Sequence, residues 1–243
     1  MKRCHLAELL LSEITRMSDG FCVIGLERNG QHFRSLRPLP RRGYAWRSFP
    51  YRRADKVAFE FLAAVAIPPH TEDRGTANDR KVGFVSESEL VGSLRQAEVA
   101  PSVKGMFGCD VHVSRRGGEA IYVLPAEATR SICGCDIASI RFTFHFYPKI
   151  RATVVLKSGE RLESLPLVDA DWTEFINVLA EQMDDPVRIR SRLDGLFKSL
   201  VYPQIQSSPF RFVRIGLCRP DREGLCWFML DSLFPLPKKS WLE

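Results

Sequence analysis

The chain has 243 residues, 45% hydrophobic and 26% charged. That is enough apolar material for a sizeable core, and the length suits one large domain or two small ones. No run approaches the roughly 18 apolar residues of a membrane span, because the most apolar segment, residues 57–67, is short and holds Glu60; a soluble, cytoplasmic protein with no membrane partner is expected. Lys+Arg number 35 against 29 Asp+Glu, and seven of the 35 are arginines between positions 34 and 53, so the rest of the chain carries 28 against 29 and the basic excess is local.

The start, MKRCHLAELLLSEI, has a basic end and a leucine cluster, but Glu8 and Glu13 interrupt the apolar run and no small-residue cleavage site follows, so export is not expected. Leu6, Leu9, Leu10, Ile14 and Met17 fall at helical spacing and predict a helix, with a short strand over residues 4–10 as the alternative. Residues 21–26 read as a buried strand, Asn29-Gly30 as a type I′ hairpin turn and residues 31–36 as the returning strand. Val57, Phe59, Phe61, Val65 and Ile67 alternate, which predicts a strand ended by Pro68-Pro69. Ser86 and Glu89 have capping-box spacing ahead of Leu90, Val91 and Leu94, predicting a helix over 87–95.

Periodicity then lapses over residues 97–105, which places a boundary there and divides the chain into units 1–97 and 98–243. The second unit opens with a hairpin pattern, residues 111–113 and 120–124 around Arg115-Arg116-Gly117-Gly118. Residues 140–147 alternate Phe142, Phe144 and Phe146 with Arg141, Thr143, His145 and Tyr147, predicting one core face and one wet face. Residues 149–156 and 161–167 continue a meander around Ser158-Gly159. Asp169 or Asp171 caps a helix bearing Trp172, Phe175, Ile176 and Leu179, and Asp185-Pro186 begins another. Residues 210–218 and 225–234 are the last strands, and no internal repeat is visible.

The clearest functional lead is RSLRPLPRRGYAWRSFPYRR, residues 34–53, with no lysine and no carboxylate. Arginine forks match phosphate oxygens, and aromatic faces among cations stack on unpaired bases. Arg34, Arg37, Arg41, Arg42, Arg47, Arg52 and Arg53 are therefore candidate phosphate contacts, and Tyr44, Trp46, Phe49 and Tyr51 candidate stacking rings; the alternative is a solvated loop whose aromatics fold back onto the domain. His70 and Glu72, beside Asp73, and the wet face of Arg141, Thr143, His145 and Tyr147 form second-rank candidates. Seven cysteines, at 4, 22, 109, 133, 135, 218 and 226, have neither disulfide-framework nor zinc-site spacing, since only Cys133 and Cys135 are a close pair. Reduced thiols, no metal and no cofactor are expected. No nucleotide-binding loop, serine elbow or HExxH run occurs, so an enzyme is not expected either.

In patches over most of its length the chain resembles the bacterial dual OB-domain family. The resemblance is carried by FCVIGLERNGQHFRSLRP, by residues 57–67 ending in PPHTED, by YPKIRATVVLKSGERLESLPLVD and by RIGLCRPDREGLCWFMLDSLF. It implies a β-rich (α+β) chain of two OB-like β-barrels with added helices, and it aligns Arg37-Pro38 and His70 with Glu72 to the family's motifs, Asp73 standing where an asparagine is usual. It also implies non-catalytic binding of single-stranded or structured DNA or RNA, as an accessory component of a bacterial defence or mobile-element system. The rival expectation is an adaptor in a multiprotein complex, its arginines gripping an acidic protein partner and its aromatics anchoring the interface.

Overall fold

The computed structural model describes residues 5–17, 20–35, 46–64, 67–97, 99–114, 120–144, 147–183 and 188–242. Strand β1 (His5–Met17) occupies the segment whose leucine spacing predicts a helix. Ala7, Leu9 and Leu11 alternate into a core, then a bulge between Leu11 and Glu13 is followed by residues buried on both faces, from Ser12 to Thr15. A strand covered on both sides repeats its apolar residues without a clean period of two and so imitates a helix. Strands β2 (Gly20–Leu26) and β3 (His32–Ser35) form the expected hairpin, but not through a type I′ turn on Asn29-Gly30: the Gly30 N–H donates to the Glu27 carbonyl at 2.9 Å, so Arg28 and Asn29 are central and only Gly30 is left-handed. Gly30 has φ +87°, and the Asn29 side chain accepts a hydrogen bond from the Gln31 N–H at 2.8 Å.

Strand β4 (Asp55–Ala64) follows, then β5 (Asp73–Phe84), whose charged sequence gives no strand signal. β5 is made by its partners: it pairs antiparallel with β4 and parallel with β3, joining Arg34 to Asp73 and Ser35 to Arg74. The order β1-β2-β3-β5-β4 closes into a barrel. Helix α1 (Glu87–Ala97) begins at the expected capping box, with the Ser86 hydroxyl and Glu89 carboxylate exchanging bonds with each other's backbone N–H groups. Its Leu90, Val91 and Leu94 pack with Ala54, Phe212 and Phe234, so the helix is wedged between the two halves of the molecule.

The stretch without periodicity contains the short helix α2 (Val103–Phe107). A curled seven-stranded sheet comes next: β6 (His112–Ser114), β7 (Ala120–Val123), β8 (Ile132–Thr143), β9 (Arg151–Leu156), β10 (Arg161–Pro166), β11 (Phe212–Leu217) and β12 (Cys226–Phe234). Its order is β10-β9-β8-β11-β12-β7-β6. Strand β8 starts at Ile132 rather than near 140, because Ile132, Cys133, Cys135 and Ile137 are all core residues. Between β10 and β11 lie α3 (Ala170–Glu181), α4 (Ile189–Leu196), a π turn at Phe197–Val201 and α5 (Tyr202–Ser207). Asp169 caps α3, accepting from the N–H groups of Asp171 and Trp172; the expected helix start at Asp185-Pro186 lies outside the described residues.

Leu167, just past β10, bridges Leu230 of β12 in parallel, and Val168 N–H donates to the Leu230 carbonyl at 3.1 Å. Strands β8 to β12 therefore repeat the connectivity of β1 to β5, including the parallel contact between the third and fifth strands. Both orders are compatible with OB-like barrels, which are five-stranded and of Greek-key type. A seam of backbone and charge joins the halves: Arg16 N–H donates to Val168 O at 2.7 Å, Arg214 pairs with Glu13, Arg219 with Asp73 at 2.7 Å and Arg95 with Asp136 at 2.6 Å. No helix among the described residues is long and apolar enough to cross a membrane.

Candidate nucleic-acid interface

Of the basic-aromatic stretch, residues 34 and 35 end β3 and residues 46–53 lead into β4. A small closed barrel must fill its interior with side chains, and Trp46, Phe49 and Tyr51 supply three of them. Trp46, in a 3-10 turn at Trp46–Ser48, lies 5.1 Å from the Phe21 ring and 5.6 Å from that of Phe49; Phe49 is 4.8 Å from Phe21. Trp46, Phe49 and Tyr51 are only 6%, 3% and 5% exposed. The Tyr51 hydroxyl donates to the Asp79 carboxylate. This corrects the expectation of stacking surfaces: in this fold the three rings belong to the core and present no face to a base.

Three of the seven arginines are likewise held by the protein. Arg34 Nε donates to Asp73 Oδ1 at 2.6 Å, and its Nη2 lies 3.6 Å from Glu72. Arg52 donates to the carbonyls of Phe49 and Tyr51 at 2.6 and 2.8 Å, with its guanidinium 4.6 Å from the Trp46 ring centre. Arg53 reaches into the other barrel, donating to Asp171 at 2.6 Å, to the Ser232 hydroxyl and to the Leu233 carbonyl, and standing 3.1 Å from Asp169. Arg37, Arg41, Arg42 and Tyr44 lie outside the described residues, as does the side chain of Arg47.

His70, Glu72 and Asp73 also turn inward. They are buried, and one donor atom from each comes within 4.8 Å of the others, the single such grouping among the described residues. Both Asp73 oxygens are occupied by guanidinium groups, Arg34 on one and Arg219 on the other. Glu72 accepts from the Ser131 hydroxyl. Burial pushes the Glu72 carboxyl up, but His70, Arg34 and Ser131 outweigh it and hold the group below the usual carboxylate range. Two carboxylates against two arginines leave a dication no excess negative charge to neutralise, so the donor set fits an ion-pair knot between barrels better than a metal centre. His70 Nδ1 stands 3.9 Å from Glu72, beyond hydrogen-bond length. His70 and Glu72 are thus not an outward binding surface, which corrects their second-rank assignment.

The wet face expected on residues 140–147 is present at two of its four positions. Arg141 and Thr143 are exposed on β8 while Phe142 and Phe144 are buried, Tyr147 is half-buried with its hydroxyl 3.3 Å from Asn177 Oδ1, and His145 lies outside the described residues. In register, Arg141 faces Thr153 and Thr143 faces Arg151, so two Arg–Thr pairs lie side by side on the outer surface of β8 and β9. Arg161 of β10, paired with Glu163 at 2.9 Å, extends the outer surface by one strand. The sequence reading passed over Arg151 and Thr153, although their alternation with Ala152, Val154 and Leu156 carries the same period-two signal.

Cys133 and Cys135 are fully buried in the second core, and among the described residues no third ligand joins them. None of the six described cysteines is in a disulfide. No family model matches the chain, and no curated protein matches it.

Proposed function

We propose that the chain is a non-catalytic nucleic-acid-binding protein whose second barrel takes a single strand of DNA or RNA across the outer surface of β8, β9 and β10. The observation that carries this reading is the in-register pairing of exposed Arg141 and Thr143 with Thr153 and Arg151. OB-type barrels bind oligonucleotides on the face of their second and third strands, and β9 and β10 occupy those places in the second barrel. Arginine forks supply phosphate contacts there, and threonine hydroxyls supply adaptable donors and acceptors. Arg37, Arg41, Arg42, Arg47 and Tyr44 remain candidates for a second contact from the β3–β4 connection. The resemblance to the dual OB-domain family supports the same reading and suggests an accessory role in a bacterial defence or mobile-element system.

The test is an anisotropy titration of the intact chain with single-stranded and duplex DNA and RNA at two salt concentrations. Single strands should bind, and raising the salt should weaken them steeply; Arg141→Ala should weaken every sequence and flatten the log–log salt slope by about one unit. Absence of binding, or affinity indifferent to salt, would overturn the reading. The adaptor alternative draws on Leu6 and Leu62, 64% and 56% exposed on adjacent strands of the first barrel. It would replace the nucleic-acid reading if neither DNA nor RNA binds and a protein partner is retained through those leucines.

A further inference from the structure

Where β1 of the first barrel meets the second, a cleft of about 300 Å³ opens. Its walls follow from the seam. Arg16, at the end of β1, is fixed by its backbone bond to Val168, Arg151 begins β9, and Thr173 and Asn177 project from α3. Pro148, Ile150, Pro166 and Leu167 supply an apolar floor.

The rim is cationic. Arg16, Lys149 and Arg151 stand around the opening. Among the described residues the one carboxylate paired with any of them is Glu174, 3.9 Å from Arg16. Lys149 is exposed and has no ion-pair partner among the described residues. Arg151 donates one bond, at 3.1 Å, to the Ser164 carbonyl; this fixes the head and leaves its other donors available. On the inner side the Thr173 hydroxyl is buried without a hydrogen-bond partner, and Asn177, engaged through its oxygen by Tyr147, keeps its amide donors.

We propose that this cleft is a nucleotide subsite: the three cations hold a phosphate, the prolines with Ile150 and Leu167 carry the sugar or base, and Thr173 and Asn177 supply polar contacts. The volume lies at the small end of ligand pockets, roughly 300–1,000 Å³, which suits one nucleotide unit rather than a duplex. The proposal rests on the nucleic-acid reading and extends it. Arg151 belongs both to the outer surface of β9, opposite Thr143, and to the cleft, so a strand crossing the Arg–Thr pairs runs next into the junction of the barrels. The same chemistry accepts a free mononucleotide, and the experiment separates the two sources.

Arg16→Ala combined with Lys149→Ala alters exposed side chains only, and urea denaturation checks that the fold is kept. A labelled oligothymidylate and oligouridylate, about twelve nucleotides long, should bind the double variant on the order of 10-fold more weakly, with a salt slope lower by about 1–2 units. AMP should compete for the parent but not for the variant. If oligonucleotide affinity, salt slope and AMP competition are unchanged in the double variant while Arg141→Ala weakens binding, the cleft proposal is overturned and the nucleic-acid reading stands. If the parent binds AMP in a manner lost in the double variant but binds no oligonucleotide, the cleft is a mononucleotide site and the broader reading falls. If the parent binds neither, both are overturned.

Discussion

Asp231 is 4% exposed on β12, packed so close to Gly216 that a Cβ there would lie 1.9 Å from its carboxylate. Burial pushes the Asp231 carboxyl well above its usual range, and Glu13 adds to the rise against the pull of Arg34 and Arg214. The surrounding charges already balance without it: Arg214 has Glu13, and Arg34 and Arg219 share Glu72 and Asp73. A neutral Asp231 is what such a site favours. Below about pH 4 the group is protonated in both the folded and the unfolded chain and contributes no pH dependence. As pH rises above that value the unfolded chain releases a proton that the folded one keeps, so folding loses about 1.4 kcal/mol per pH unit until the folded pKa is reached. Asp231→Asn mimics the protonated form and escapes this loss. Its stability relative to the parent, from urea denaturation at a series of pH values, should be greater near neutrality and converge toward about pH 4; a difference independent of pH would show that Asp231 ionises alike in both states.

Residues 34–53 look in sequence like a strand-binding arm, yet Trp46, Phe49 and Tyr51 pack into the core of the first barrel. Trp46→Ala should therefore cost about 3–5 kcal/mol of stability, as deletion of a core aromatic does, and leave single-strand affinity of the folded protein unchanged. Loss of about 1–3 kcal/mol of binding with stability intact would restore the stacking reading. Arginines interleaved with rings have the same composition whether the rings face solvent or a barrel, and only the closing of β3 on β5 decides it. Elements fixed by local chemistry were legible: the hairpin between β2 and β3 though not its turn type, the Ser86–Glu89 capping box, and a helix cap at Asp169 or Asp171 that falls to Asp169. β1 was legible only as the alternative strand over residues 4–10, because from Leu11 to Thr15 it is covered on both faces, and β5 was not legible, because its strand character comes from its neighbours. The wet face of β8 was read correctly at Arg141 and Thr143, yet half of it sits on β9 and appears only once the register pairs the two strands.

At the scale of the whole molecule, the strand order is repeated and the sequence is not, so no repeat could be seen in the residues; what recurs is the pairing of third and fifth strands. The joint between the barrels was equally hidden, since its partners lie far apart in sequence: Arg53 and Asp171 by 118 positions, Glu13 and Arg214 by 201. These pairs set how the protein unfolds. Arg53 and Arg214 side chains are 1% and 0% exposed, and each finds its carboxylates in the other half. Removing one partner of a buried pair costs about 3–5 kcal/mol because the other charge is left without compensation. Separating the halves would strand both pairs at once, uncover Glu72 from Ser131 and Asp73 from Arg219, and strip α1 of Phe212 and Phe234. Those losses together approach the whole stability of an ordinary domain, about 5–15 kcal/mol. We expect the chain to unfold in urea as one cooperative transition, coincident whether followed by the fluorescence of Trp46 in the first barrel or by that of Trp172 in the second, each retained as the sole tryptophan. Arg53→Ala should move both signals to lower urea by the same amount. Two separated transitions, or a folded fragment of residues 1–97 alone, would show that the barrels stand without their joint.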